Sequence, residues 1–316
     1  FFIATIGAGA TPASALLAPP AMAAAARVGI PPLLMAIMAG NGVLAGTLSP
    51  FAPTGIVAHG VMERIGLGGY EWYTFGYNAF AHLLVGVVGF ALLGGWKFIR
   101  HPAGDHAPSE ANDAGTAAEP FETRHWLTTI GITVLIIAVV GFSVEVGMAA
   151  IIIAAALILL RTVNESDAIR RMPWGVILMV TGVTVLITMM RETQGLDLIT
   201  TGIATISTPA TIEAIVAFFA GLISVYSSTS GVVLPAFLPM VPSLAEQLGG
   251  ISEVNIAFSM AVSASLVDLS SLSTVGALYM ASAAEGTDMR RLFNALLIWG
   301  LAMSIVGAAL CWILFG

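Results

Sequence analysis

Long apolar runs separated by short polar turns set the rhythm of this chain, and four of those runs are interrupted in the middle. Apolar stretches cover residues 1–26, 33–60, 73–96, 126–141, 143–160, 174–190, 218–239, 251–284 and 292–315. At about 1.5 Å per residue, some 20 residues cross the roughly 30 Å hydrocarbon layer, so the pattern predicts roughly eight to nine helical membrane segments. It does not fit the alternating ten-residue strands of an outer-membrane barrel. The expected fold class is therefore all-α integral membrane.

The interruptions are GAGATPAS (7–14), GTLSPFAPTG (46–55), SSTSG (227–231) and DLSSLST (268–274). Small hydroxyl and glycine residues in a row make a poor helix centre. They suit a place where the backbone turns or unwinds, which lipid tolerates only when that backbone is buried in protein or lines a polar cavity. The first and third interruptions read as tips of re-entrant hairpins, the second of them over 213–240. The other two read as broken helices, the later one over 251–284.

The two halves echo one another. GAGATPASALLAPP and VYSSTSGVVLPAFLP share a small-polar tip, an apolar climb and proline, and LSPFAPTG lines up with LSSLSTVG. Domain boundaries follow: a first repeat over 1–96, a cytoplasmic linker over 97–125 and a second repeat over 126–316. With the linker inside, Arg27, Lys97, Arg100, Arg124, Arg161, Arg170, Arg171, Arg290 and Arg291 all face the cytoplasm, leaving Arg64 and Arg191 outside, as the positive-inside rule favours. The hairpins then enter from opposite sides. Inverted repeats with paired discontinuous helices are the pattern of a secondary transporter whose site lies at the midplane.

Composition agrees: 58% of residues are hydrophobic and 9% charged, with a mean hydropathy of +0.95. The net charge of −7 says little about partners, and no basic patch invites nucleic acid. The single cysteine, Cys311, excludes an intramolecular disulfide and reads as a small buried hydrophobe. Because the chain opens inside an apolar run at Phe1, we expect an N-terminally truncated transporter lacking one or more preceding helices.

The tip motifs GAGATPAS and SSTSG and the breaks GTLSPFAPTG and LSSLSTVGA resemble the malonate/C4-dicarboxylate carriers (MatC-type) of the ion transporter superfamily, relatives of the divalent anion:sodium symporters. The resemblance covers essentially the whole chain. Members carry Ser-Asn-Thr at each hairpin tip; this chain has Gly9-Ala10-Thr11 at the first and Ser227-Ser228-Thr229 at the second. The resemblance implies a homodimer in a bacterial inner membrane, moving a small dicarboxylate together with sodium or a proton.

A dicarboxylate needs hydrogen-bond donors at both ends, and half-helix N-termini supply them through unpaired N–H groups and the helix dipole. Candidate substrate ligands are Thr11, Ser14, Ser49, Pro53 and Thr54 in one half, and Ser227, Ser228, Thr229, Ser230, Ser273 and Thr274 in the other. Freed carbonyls and hydroxyls at Gly7, Gly9, Gly46 and Thr47, and at Ser228, Ser270 and Ser271 with the carboxylate of Asp268, are candidate sodium ligands. No Lys or Arg lies near the four interruptions in sequence, so a co-bound cation would offset the anion's charge. No organic cofactor is expected, and sodium enters as the coupling ion.

Each residue also has a plainer role. A serine or threonine in a membrane helix often bonds its own backbone or packs at a small-residue interface. Asp268 can ligate the cation, relay a proton, or cap the second half-helix. Glu145 reads as an outer-surface turn residue, His59 and His82 as packing residues, Asn41 as interhelical glue, and Glu213 as either a vestibule or a loop residue. An intramembrane serine hydrolase fails on residues, since Ser228 stands where Gly-x-Ser-Gly needs glycine and no histidine follows His125. An aspartyl version fails because only Asp268 qualifies. The sequence therefore predicts a cation-coupled carrier of malonate or a C4-dicarboxylate working by alternating access, with a cation/proton antiporter or another anion carrier of the same superfamily as the alternative.

Overall fold

The computed structural model describes residues 1–100, 122–142, 144, 146–162, 164–172 and 174–316. The described residues contain helices and turns and no strand. In chain order the α-helices are α1 (Ala10–Val28), α2 (Pro32–Leu44), α3 (Pro53–Arg64), α4 (Glu71–Leu92), α5 (Trp96–Arg100), α6 (Thr123–Phe142), α7 (Val146–Leu159), α8 (Glu165–Arg171), α9 (Trp174–Glu192) and α10 (Gly195–Ile206). They continue with α11 (Ile212–Ser224), α12 (Leu234–Phe237), α13 (Val241–Gln247), α14 (Glu253–Leu266), α15 (Thr274–Ala281) and α16 (Met289–Phe315). A wide π-type turn, Ala4–Ala8, precedes α1, and another, Thr229–Val233, runs straight into α12.

The chain forms two compact units, Phe1–Pro102 with Val176–Gly316, and Ala103–Gly175. In the second unit α6 and α7 pack side by side, closely enough that a Cβ on Gly131 would meet Ile153 at 3.1 Å. In the first unit the densest packing is among α11, α14 and α16. Small residues allow it. Ser263 lies between Gly221 and Gly307, where added Cβ atoms would stand 2.8 and 2.6 Å from its Oγ, and that hydroxyl donates to the Ala217 carbonyl at 2.6 Å. Close approach of this kind is how helices associate where lipid leaves no hydrophobic advantage. On the other side of the unit α1 packs on α2, α2 on α4, and α15 on α1.

Among the described residues two helices, α4 and α16, are long and apolar enough to cross a bilayer unaided. Their outward residues are large and apolar, with Leu92 80% and Ile313 75% exposed, a surface that suits lipid and not water. The helices that border the polar interruptions are shorter. The 13 residues of α2 and 14 of α14 reach only about 20 Å, and each stops at a polar turn before the layer is crossed.

Three details depart from the hydropathy pattern. Residues 195–206 form a helix, α10, where the sequence shows only a weak polar-apolar stretch; Leu196, Thr200 and Ile203 share its buried face at helical spacing. The Pro19-Pro20 pair lies inside α1 and does not end it. The first interruption unwinds only as far as Gly9, so Thr11 and Ser14 belong to α1. Glu145 and most of the linker, residues 101–121, lie outside the described residues.

The turn 45–52 that follows α2 and the turn 267–273 that follows α14 each fold back onto a glycine. A Cβ on Gly55 would stand 1.9 Å from the Ser49 carbonyl oxygen, and one on Gly276 2.0 Å from that of Ser270. Both obstacles are backbone and have nowhere to move. Gly276→Ala should therefore cost about 1 to 3 kcal/mol of stability, read as a lower thermal midpoint of the detergent-purified chain. Gly42→Ala, with open space at its Cβ inside α2, should keep or raise that midpoint; equal midpoints for the two variants would contradict the packing described.

Candidate functional site

The two turns are built alike. After α2, Thr47 N–H donates to Leu44 O (3.1 Å), Ser49 N–H to Gly46 O (3.3 Å), Ala52 N–H to Ser49 O (3.0 Å) and Ile56 N–H to Ala52 O (2.8 Å). After α14 the same four bonds recur at one constant spacing along the chain: Asp268 to Ser265 (3.2 Å), Ser270 to Val267 (2.9 Å), Ser273 to Ser270 (3.0 Å) and Ala277 to Ser273 (3.0 Å). The side chains match as well. Ser49 Oγ accepts from Phe51 N–H at 3.1 Å and donates to Thr5 O at 2.6 Å. Ser270 Oγ accepts from Leu272 N–H at 3.2 Å and donates to Val225 O at 3.1 Å. Each serine thus fixes its own turn and pins a second polar segment, 1–9 or 225–228, against it.

Glycine shapes the first of those segments. Gly7 (φ 124°) and Gly9 (φ 75°) occupy backbone conformations that disfavour side chains. A Cβ on Gly9 would lie 3.0 Å from Pro53 Cδ, and one on Gly7 3.3 Å from Phe51 O. The second segment is held by Ser228, whose Oγ accepts from Gly231 N–H at 3.0 Å as an N-cap. The two turns also meet. Thr47 Oγ1 and Ser265 Oγ share a hydrogen bond of 3.2 Å, and Gly40 is so close to Leu269 that a Cβ would stand 2.4 Å from its Cδ1. Packing crosses between halves: α15 lies on α1, and α3 on the run 229–240.

The sequence-nominated hydroxyls separate into two sets. Ser49, Ser270 and Ser273 are committed to backbone: Ser273 Oγ reaches the Asp268 and Ser270 carbonyls and accepts from Gly276 N–H. Ser227 Oγ donates to Ile223 O at 2.8 Å, whereas Ser228 Oγ accepts from Gly231 N–H as a cap and keeps its own proton to donate. Thr11, Thr54, Ser230 and Thr274 carry no side-chain hydrogen bond, and each occupies the first turn of a helical run. Thr11 and Thr274 are exposed, Ser230 is partly buried and Thr54 is buried. First-turn N–H groups have no intrahelical acceptor; Thr47 O, Ser228 Oγ and Ser273 Oγ meet those of Gly55, Gly231 and Gly276, and each of these residues offers its hydroxyl beside the donors that remain. Pro53, at the first position of α3, supplies no N–H and presets the turn. Ser14 is fully buried with its Oγ unpartnered, and Ser271 is likewise buried and unpartnered.

Asp268 sits in the second turn, where its Oδ1 accepts from Thr229 Oγ1 at 2.5 Å. Thr229 Oγ1 also lies 2.5 Å from Ser224 Oγ and 3.2 Å from Ala264 O. The ion pair given by the structure, Arg124 with Glu122, is far along the chain, so no cationic side chain among the described residues pairs with Asp268. No cluster of three or more His, Cys, Asp or Glu among the described residues could hold a metal. Hydroxyls, carbonyls and one carboxylate suit a hard cation better than a transition metal. Of the first-half sodium candidates, Gly46 O and Thr47 O already accept Ser49 and Gly55 N–H, and Thr47 Oγ1 donates to Leu44 O.

Two residues that the sequence reading did not single out belong to this region. Thr5 presents the carbonyl that Ser49 holds. Asn78, fully buried on α4, donates through Nδ2 to Leu44 O (3.0 Å) and Ala45 O (3.2 Å). An asparagine inside an apolar span was the available signal for the latter.

Comparison with known proteins returns one family: the citrate transporter family model (CitMHS) matches residues 1–263. No curated protein and no solved structure matches the chain. The match takes in the first turn, both polar segments, α1, α3 and the run beginning at Thr229, and ends within α14, before the second turn and α15. The chain is accordingly a multi-pass membrane protein of the transporter class and no enzyme, a secondary carrier of citrate-like anions that belongs to the citrate transporter family.

Proposed function

We propose that the chain is a cation-coupled carrier of a small polycarboxylate, malonate or a C4-dicarboxylate alongside citrate, and that the anion binds between the first turns of α1, α3, α15 and the run beginning at Thr229. The observation that carries this is the set of free hydroxyls at Thr11, Thr54, Ser230 and Thr274. Each stands at the positive end of a helical run, where unpaired N–H groups and the dipole favour negative charge. Neutral donors bind a carboxylate without the deep trap an arginine pair would make, which suits release on the far side.

The repeated hydrogen-bond pattern supports reading the chain as two repeats, 1–96 and 126–316. It favours re-entrant hairpins at 1–28 and 213–240 and broken helices at 32–64 and 251–284. The excess of arginine on one face favours opposite insertion of the two halves. Asp268, with Thr229 and the carbonyls beside it, is the cation ligand of this scheme, and alternating access follows from the hairpins moving with their bound ions.

In proteoliposomes the full chain should accumulate labelled citrate, malonate or succinate against a gradient when a sodium or proton gradient is imposed. Equilibration without accumulation would mark a channel. Thr54→Val and Thr274→Val, each removing a donor to a charged ligand, should raise KM roughly tenfold while leaving folded yield intact. Ser49→Ala and Ser273→Ala should instead lower folded yield. Parent-like KM in both threonine variants would remove the anion from this site.

A further inference from the structure

We infer that the start of α16 binds an anionic phospholipid: Arg290 and Arg291 take its phosphate, and the apolar face below them takes an acyl chain. The inference asks only that the chain cross a bilayer, so it stands apart from the carrier reading above. Asp288, Arg290, Arg291, Asn294 and Ile298 border a shallow cavity of about 430 Å³ at this end of the helix. Two guanidiniums and one amide supply its side-chain donors, and the Asp288 carboxylate is the acidic group among the residues that line it. That carboxylate is engaged as the helix cap, its Oδ1 accepting from Arg291 N–H at 2.9 Å. Among the described residues neither arginine pairs with a carboxylate. The cavity therefore keeps a net positive charge, carried by side chains and not by the capped helix end.

What lies below the arginines decides the ligand. One face of α16, through Leu292, Leu296, Gly300, Met303 and Gly307, is buried in the packing with α11 and α14. On the other side Asn294, Ile298, Leu301, Ile305 and Trp312 are all exposed, Ile298 and Ile305 at 66% and 64%. At about 3.6 residues per turn these positions share one narrow stripe, and Arg290 and Arg291 flank its polar end. From Arg291 to Leu301 is about 15 Å, half the roughly 30 Å hydrocarbon layer and so the depth of one leaflet. A soluble anion would use the guanidiniums and leave the stripe bare; a phospholipid uses both. A second copy of the chain is disfavoured on this face. Two copies cross the membrane in the same direction, so a twofold contact here would bring the arginine pairs together, and like charges repel. An anionic headgroup meets the same surface with the opposite sign.

The test uses the detergent-purified full chain with phosphatidylglycerol or phosphatidylcholine of the same acyl chains. Retained lipid is counted by native mass spectrometry, and the thermal midpoint is read beside it. Phosphatidylglycerol should bind roughly tenfold more tightly and raise the midpoint further. Arg290→Gln combined with Arg291→Gln should abolish that preference and keep the parent's midpoint in phosphatidylcholine. Asn294→Asp, which adds a negative charge to the cavity, should weaken phosphatidylglycerol binding and decides the matter if the double variant does not fold. Equal binding of the two lipids, or a preference that survives these substitutions, overturns the inference. Displacement of the lipid by glycerol phosphate or citrate, which have no acyl chain, also overturns it and marks a soluble-anion site. Ile298→Cys should stay uncross-linked in oxidised vesicles; a disulfide-linked dimer would give the face to a second copy and overturn it too.

Discussion

A helix that stops inside an apolar layer leaves its last carbonyls and the next helix's first N–H groups without partners, and each one left unmet costs about 1 to 3 kcal/mol. Two serines answer this constraint here. Ser49 and Ser270 each satisfy a backbone N–H of their own turn and a carbonyl of the neighbouring polar segment, so that an interruption in one stretch of chain is closed by an interruption in another. Gly55 and Gly276, which admit the Ser49 and Ser270 carbonyls where a Cβ would otherwise sit, complete the same device.

That arrangement divides the hydroxyls by role. Those that close the turns have given their proton to the backbone, and those in the first turns of the following helices have not. The division explains why a chain so poor in charge can present an anion with several donors: the structural serines expose the helix ends, and Thr11, Thr54, Ser230 and Thr274 stand at them. In the proposed site, selectivity among polycarboxylates would follow from the spacing between helix ends and not from any one side chain.

Much of this was legible in the sequence, and for identifiable reasons. The four interruptions announce themselves because Gly, Ser, Thr and Pro are the wrong residues for the middle of an apolar run, and the repeat shows in LSPFAPTG and LSSLSTVG. What the sequence could not separate was ligand from scaffold. Ser49 and Thr54 look equally suited to an anion, and only the hydrogen bonds from Ser49 to Thr5 and Phe51 show that its hydroxyl is taken. Thr11 and Ser14 likewise look alike, yet one is exposed at a helix start and the other fully buried. Asn78 escaped notice because its partners, Leu44 and Ala45, are distant in sequence and bond through backbone atoms, which no residue type reveals. The helix at 195–206 escaped because its apolar face is one-sided and too short to register as a span.

The central claim is that an anion lies between the helix starts at Thr54 and Thr274. Anomalous diffraction from crystals of the full chain soaked with bromosuccinate tests it most directly. A bromine peak bordered by the first turns of α3 and α15 is the predicted result. A peak elsewhere, such as the apolar cleft along α2 and α4 that Asn41 and His82 help to line, with none between those threonines, would contradict it.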